Sequence, residues 1–289
     1  MKIKSVLIIT KPSPKTDIVN FLRVLDKWFN NRKIGLYCFE TIKKQQFHNI
    51  SFVDKNFDLK EIDMIISLGG DGTLLGLCRK YYKYNKPIIG VNLGRLGFIA
   101  NFTKNDLFDE LENIINKKFT TSSLPLYSAE HISHTGKKKK YHFINDVVIS
   151  KNDISRIFSL EFHVDNMHVY SLSGDGLIIA SPIGSTAYSL AAGGPIISPE
   201  VKSFVVTPIC AHSLTHRPLV LNDSSSITIK IPQYSSNIIL TLDGQELISL
   251  DKRDSIIIKK TKRTSCKLIV NNSSSYYQKL KEKFTLGRK

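Results

Sequence analysis

Acidic residues are scarce in this chain: 25 Asp and Glu stand against 41 Lys and Arg, leaving a formal charge of +16. Such a surplus suits nucleic acid, anionic small substrates, or simply a solvated lysine-rich surface. The lysines are dispersed, Lys, Asn and Ile are frequent throughout, and no basic stripe interleaves with aromatics. Most of the charge therefore reflects a compositional bias, and no nucleic-acid partner is expected. Cysteine is sparse too. Cys38, Cys78, Cys210 and Cys266 have no paired spacing, which excludes the usual zinc and redox motifs. No apolar run approaches a membrane span. The segment Val6–Ile9, closed by Thr10, Lys11 and Pro12, is too short for the apolar region of a signal peptide. The expectation is a cytoplasmic setting with reduced thiols and no membrane partner. Nucleotide signatures are also missing: there is no Walker A loop, and the Gly-x-Gly from Gly70 lacks the third glycine of a Rossmann fingerprint, whose place Leu75 takes.

At 289 residues the chain exceeds the usual size of one domain, so two are expected. Hydrophobic residues make up 42% and charged ones 23%, the balance of a globular protein with a real core. What the chain does have is Gly69-Gly70-Asp71-Gly72-Thr73. It follows the apolar run Asp63–Leu68, whose β-branched content suits a short buried strand. After it, Leu74, Leu77, Cys78, Tyr81 and Tyr82 recur at helical spacing. One carboxylate is thus carried on a glycine-rich strand-to-helix turn. Glycines without Cβ let backbone N–H groups approach a ligand, and a helix start favours an anion. Gly69, Gly70, Gly72 and Thr73 are therefore the candidate phosphate-binding residues. An ordinary tight turn uses the same residue types, but rarely so many glycines beside a buried strand. Asp71 either accepts a proton or organises a metal ion, and the residues leave both roles open. The turn resembles the phosphate-binding turn shared by NAD kinases, diacylglycerol-type lipid kinases and 6-phosphofructokinases. It points to phosphoryl transfer without naming the acceptor.

Along the chain, Ile3–Thr10 reads as a first strand. Thr16 or Asp17 can cap a helix with Ile18, Phe21, Leu22, Leu25 and Trp28 on its apolar face. Ile34–Phe39 and Pro87–Val91 are further strands. Strands alternating with helices imply a parallel, Rossmann-like sheet, with ligands at the carboxyl ends of its strands, where Asp71 falls. Asn92–Phe98 is a second glycine-rich loop at a strand end. A helix is expected from about Asn105, with Leu107, Phe108, Leu111, Ile114 and Ile115 on one face. From about Leu124 to Val270 short strands and turn signals dominate. Lys137–Lys140 is expected at the tip of a hairpin joining Tyr127–Ser133 to Tyr141–Ser150. Tyr276, Tyr277, Leu280 and Phe284 are helically spaced. The expected division is 1–123, an α/β domain carrying the glycine turn; 124–271, a β-rich domain; and 272–289, a helix returning to the first.

Phe143–Ile149 sets Asn145 and Asp146 inside an apolar strand, although strand neighbours point to opposite faces. An edge bulge explains that, and so does a pair of groups gripping ribose hydroxyls. Downstream, Gly174-Asp175-Gly176 leads into an apolar strand and the turn Pro182–Gly184. Ser185 or Thr186 is placed to cap a helix there, and Tyr188 to stack on a base.

The ordered set Gly69-Gly70-Asp71-Gly72, Asn145-Asp146, Gly174-Asp175-Gly176, Gly184-Ser185-Thr186-Ala187-Tyr188-Ser189 and Asp243-Gly244-Gln245 resembles the NAD kinase family over essentially the full chain. The resemblance implies an α/β N-terminal domain, a β-rich C-terminal domain, an active site between them, and homo-oligomers, dimeric or tetrameric. It implies that ATP and a divalent metal, magnesium above all, phosphorylate the adenosine 2′-hydroxyl of NAD. It makes Asp71 the proton acceptor, with Gly72 beside it, and gives Asn145 and Asp146 the adenosine ribose. Arg156, Asp175, Thr186, Ala187, Tyr188, Ser189, Leu190, Ala191 and Gln245 would line the rest of the NAD site. No metal-ligating residue is assigned. Three positions depart from the family pattern. Asp146 stands where glutamate is usual, Ser181-Pro182-Ile183-Gly184 replaces Thr-Pro-Thr-Gly, and Ser173 occupies a position that is often basic. A related kinase with a lipid or sugar acceptor, or a non-catalytic binding protein, is the competing reading.

Overall fold

The computed structural model describes residues 2–11, 16–39, 47, 49–54, 56–94, 97–152, 158–232, 238–271 and 275–284, apart from the side chains of 262 and 263. The chain forms two compact units, Met1–Leu124 with Ser265–Lys289, and Pro125–Thr264.

The first unit begins β1 (Ser5–Thr10), α1 (Thr16–Asn30), β2 (Gly35–Phe39), β3 (Ile50–Val53) and β4 (Met64–Leu68). It continues α2 (Asp71–Tyr81), β5 (Pro87–Val91) and α3 (Lys104–Ile115). The strands pair in parallel in the order β5-β4-β1-β2-β3. All of β4 is buried, as a parallel strand covered on both faces must be, which explains why four of its five residues are apolar. α1 packs Phe21, Leu22 and Leu25 into this core, while Ile18 and Trp28 are only partly covered. α3 starts after Thr103, whose hydroxyl accepts the Asp106 N–H at 3.2 Å while the Asp106 carboxylate accepts the Thr103 N–H at 2.8 Å. That reciprocal cap sets the helix start. The chain passes from β1 to β2 and β3 on one side, and to β4 and β5 on the other. The turn after β4 therefore lies at the point where strand order reverses, the usual place for a ligand in such sheets.

The second unit runs through β6 (Thr121–Ile132), β7 (Lys138–Phe143), β8 (Asp146–Lys151), β9 (Phe158–Val164), β10 (Met167–Gly174) and β11 (Gly176–Ala180). The short helix α4 (Tyr188–Ala191) follows, then β12 (Ser203–Ile209), β13 (Leu219–Asn222), β14 (Ile227–Lys230), β15 (Ile238–Leu242), β16 (Glu246–Leu250) and β17 (Ser255–Ile269). One antiparallel sheet has the order β13-β12-β11-β8-β15-β16. β10, β9, β14 and the start of β17 pair antiparallel in another, and β6 pairs with β7. Phe143, Phe158, Phe162, Phe204 and Leu240 belong to the core that these strands bury.

β17 carries the chain back to the first unit before the expected boundary at 271, because Lys267 and Leu268 pair in parallel with Pro87 and Ile88 of β5. The last helix, α5 (Tyr276–Phe284), belongs to that unit.

Two expectations need correction. Lys138, Lys139 and Lys140 do not tip a hairpin. They lie in β7, paired with Ile132, His131 and Glu130, and the turn falls earlier, with Gly136 N–H bonded to Ser133 O at 2.8 Å. Gly136 at φ +83° supplies the conformation that a lysine resists. Nor is Tyr141–Ser150 one strand. It breaks at Ile144-Asn145, so that β7 and β8 belong to different sheets.

Candidate active site

The carboxylate of the glycine turn is held by its own unit. Gly69 donates its N–H to Val91 O at 3.0 Å, tying the turn to β5. Gly70 is extended (φ −93°, ψ −172°), and Asp71 opens α2. The Asp71 side chain then turns toward the second glycine-rich loop. Its Oδ1 accepts the N–H groups of Ile99 (3.1 Å) and Ala100 (2.8 Å), and its Oδ2 that of Phe98 (2.8 Å). Gly97 makes this closure possible, since a Cβ there would sit 2.1 Å from Asp71 Oδ1. An ionised carboxylate offers about four lone-pair sites. Among the described residues, Oδ2 takes only the Phe98 N–H, and so keeps room for one more donor.

The candidate phosphate residues surround this point. A Cβ on Gly70 would meet nothing within 4 Å, so the backbone there is open to a ligand. Gly72 is exposed as the second residue of α2. The Thr73 hydroxyl is buried and has no partner among the described residues. Gly69 is the tight member, where a Cβ would lie 2.4 Å from Thr73 Oγ1. The start of a helix is a ready anion site. A further residue reaches the same loop: Lys279 of α5, buried, donates to Phe98 O at 3.3 Å. Burial depresses its basicity; the Asp71 carboxylate pulls it up and Lys283 pushes it down. Spacing marked the helix but not this lysine, which falls among other lysines in a polar segment.

In the second unit, the break at Asn145 has a specific cause. Asp243 accepts the N–H groups of Ile144 (3.1 Å to each oxygen), Asn145 (2.7 Å) and Asp146 (3.2 Å), replacing ladder partners with one carboxylate. Asp243 and Gly244 are the central residues of the β15–β16 turn, at φ 49° and 64°. Both left-handed positions suit an Asp-Gly hairpin. From the other side, Ser181 donates its N–H to Asn145 O (2.8 Å) and its hydroxyl to Ile144 O (2.6 Å). Gly184 packs against the same peptide, where a Cβ would be 2.0 Å from Asn145 O. The serine that replaces threonine at 181 thus keeps the bracing hydroxyl, and the one that is lost belongs to Ile183.

These contacts present Asn145 and Asp146 to a cavity of about 350 Å³, lined also by Ala187 and Tyr188. Thr241, Ser150 and Asp243 also line it, none of them a sequence candidate, although Asp243 sits in the quoted Asp-Gly-Gln motif. Asn145 Oδ1 is buried without a partner among the described residues. Tyr188 is 48% exposed. Asp146 is buried, and burial first, then the Asp243 charge, raises its pKa from 3.8 to about 7.

The remaining candidates stand outside the lining. Asp175 pairs with Lys151 at 2.7 Å. Ser189 is buried, its hydroxyl 2.8 Å from Thr207 Oγ1. Leu190 and Ala191 lie in α4, and the Gln245 N–H closes the β15–β16 turn on Leu242 O. Arg156 lies outside the described residues. Neither Ser185 nor Thr186 caps a helix. Their hydroxyls donate to Pro182 O and Ile183 O within a 3-10 turn (Gly184–Thr186), and α4 begins at Tyr188 with Ala187 as an N-cap that makes no side-chain bond. The Ser173 hydroxyl, at the often basic position, lies 3.1 Å from Ser159 Oγ.

Two family models match this chain: the ATP-NAD kinase N-terminal domain over residues 20–119 and the ATP-NAD kinase C-terminal domain over 144–270. An NAD kinase of Syntrophotalea carbinolica is 38% identical, covering 94% of this chain and 95% of its own. That of Heliobacterium modesticaldum is 35% identical, covering 95% and 96%. Among solved structures, yeast NADH kinase complexed with NADH has a TM-score of 0.87 at 22% identity, over 100% of this chain and 89% of its own. An NAD kinase from Archaeoglobus fulgidus in complex with ATP has a TM-score of 0.73 at 21% identity, over 97% and 98%. At that identity the two structures speak for the fold.

Proposed function

This chain belongs to the ATP-NAD kinase family, and we propose that it moves the γ-phosphate of ATP onto the 2′-hydroxyl of the adenosine ribose of NAD, giving NADP. It acts as an NAD kinase, a phosphotransferase with an alcohol group as acceptor. The observation that carries the acceptor assignment is the cavity beside Asn145. An amide oxygen that is buried without a partner among the described residues and an adjacent carboxyl face it, together with an exposed aromatic residue. Those are acceptors for ribose hydroxyls and a surface for a base.

The first unit carries the transfer turn. The amides near Gly70 and Gly72 and the Thr73 hydroxyl cradle phosphate oxygens. Asp71 Oδ2 takes the hydroxyl proton as the 2′-oxygen bonds to the γ-phosphorus and the bond to the bridging oxygen of ADP breaks. Phosphoryl transfer runs mostly on positioning and charge neutralisation, so little else is asked of the protein. The described residues offer no cluster of His, Cys, Asp or Glu around a metal, and the turn supplies one carboxylate. That donor set fits magnesium, which rests on substrate phosphates with one or two carboxylates. When bound it neutralises the charge on the β- and γ-oxygens. Arg156, Asp175, Thr186, Ser189, Leu190, Ala191 and Gln245 remain proposed members of the wider NAD site.

We place the enzyme in the cytoplasm as a homo-oligomer. Buried free thiols at Cys38, Cys78 and Cys266 support the first assignment. Exposed Val220 and Leu247 on β13 and β16, the edge strands of one sheet, support the second. No helix among the described residues is long and apolar enough to cross a membrane. The test offers NAD, NADH, diacylglycerol and fructose 6-phosphate separately with magnesium and ATP. NADP from NAD is the expected product, and its absence overturns the reading.

A further inference from the structure

Lys279 lies mid-way along α5 and is only 4% exposed. A buried ammonium is costly unless it is partnered, and its stem would pack as well on a methionine. Among the described residues its ammonium donates to one backbone oxygen, Phe98 O at 3.3 Å. The other end of that residue holds the carboxylate, with Phe98 N–H on Asp71 Oδ2 at 2.8 Å. α5 grips Phe98 by its ring as well. The Tyr276 and Phe284 centroids lie 6.1 and 5.9 Å from it, and Lys283 Nζ is 4.2 Å from its centroid. One residue is therefore clamped by the C-terminal helix on one side and bonded to the proposed proton acceptor on the other.

We propose that Lys279 is a positioning residue for Asp71, fixing the Phe98–Ala100 amides that hold the carboxylate and setting a buried positive charge in its neighbourhood. The charge has a reason to be there: a carboxylate awaiting a polyanionic triphosphate repels it, and a fixed cation offsets that repulsion. A lysine kept only for packing would do neither. The proposal rests on the reading of Asp71 as proton acceptor.

The experiment compares the full-length parent with Lys279→Met and Asp71→Asn in steady-state kinetics and amide hydrogen exchange. Lys279→Met should lose roughly tenfold in kcat, the scale of one charge-assisted contact. KM for NAD and for ATP should stay within about twofold, because uniform substrate binding is untouched. Exchange should quicken at Phe98, Ile99 and Ala100. A folded Lys279→Met with parental kcat and parental exchange at those amides overturns the proposal. Should that variant not fold, Lys279→Ala is assayed with propylammonium and with propanol. Recovery of kcat by the cation alone supports the proposal, and equal or absent recovery overturns it. If Asp71→Asn keeps its activity, the underlying reading fails instead. If Asp71→Asn loses activity while Lys279→Met keeps parental kcat and exchange, this proposal alone fails.

Discussion

Asp71 and Asp243 do the same physical work in different units: each carboxylate gathers the N–H groups of consecutive residues, Phe98–Ala100 in one case and Ile144–Asp146 in the other. For Asp71 this changes what Asp71→Asn tests. Asparagine is nearly isosteric, yet its NH2 would face an N–H donor where Oδ2 now accepts from Phe98. The expected outcome is a loss of kcat on the order of 10²–10⁴-fold, the contribution of a general base. NAD should still bind, and the loop amides should exchange faster. Retention of more than roughly a tenth of kcat would remove Asp71 from the chemistry. For Asp146 the sign of the pH effect can be worked out. Burial and the Asp243 charge raise its folded pKa from 3.8 to about 7, so the ionised form is disfavoured in the fold. That cost is absent below 3.8, grows as pH rises, and is complete above about 7. Asp146→Asn should therefore raise the melting temperature most above pH 7, with the gain fading toward pH 3.8. Ionisation also converts the carboxyl into a pure acceptor for ribose hydroxyls. KM for NAD should fall as pH rises through about 7 in the parent and show no such break in Asp146→Asn. A break that persists in the variant belongs to another group.

At the scale of elements, the periodic pieces were legible. β4, α2, β5 and α3 fall close to where apolar spacing puts them, because each is specified by residues adjacent in the chain. The elements around Asn145 were not. An apolar stretch with two polar residues reads as a strand with a bulge, whereas the chain here changes sheets between β7 and β8. The cause is a side chain 98 residues away, since Asp243 holds the Asn145 N–H. Asp243→Asn is the corresponding test. Each amide left unsatisfied costs about 1–3 kcal/mol, so the melting temperature should drop. Relief of the like charge should also move the pH break in KM for NAD downward. Unchanged melting and an unmoved break would show that the hairpin turn alone sets this corner.

At the scale of the molecule, two units divide the proposed work, each with its own core. Leu247 is 70% exposed on edge strand β16, an apolar side chain that a subunit contact would cover. Light scattering on the eluting parent should give a dimer or tetramer, and Leu247→Glu should shift it to a smaller species. An unshifted mass means that this edge is not the contact. The sequence by itself determined the alternation of strands and helices, the β-rich second half, the acid on a glycine turn and the ordered motifs of the NAD kinase family. All of these depend on residues close together in the chain. Only the tertiary structure decided which amides Asp71 holds, 27 to 29 residues on, and that Lys279 reaches Phe98 across 181. It also decided which of the many polar residues after Asn145 face one cavity. A hydrogen bond between distant residues leaves no periodic trace, because its geometry is set by the packing of whole elements and not by the spacing within any one of them.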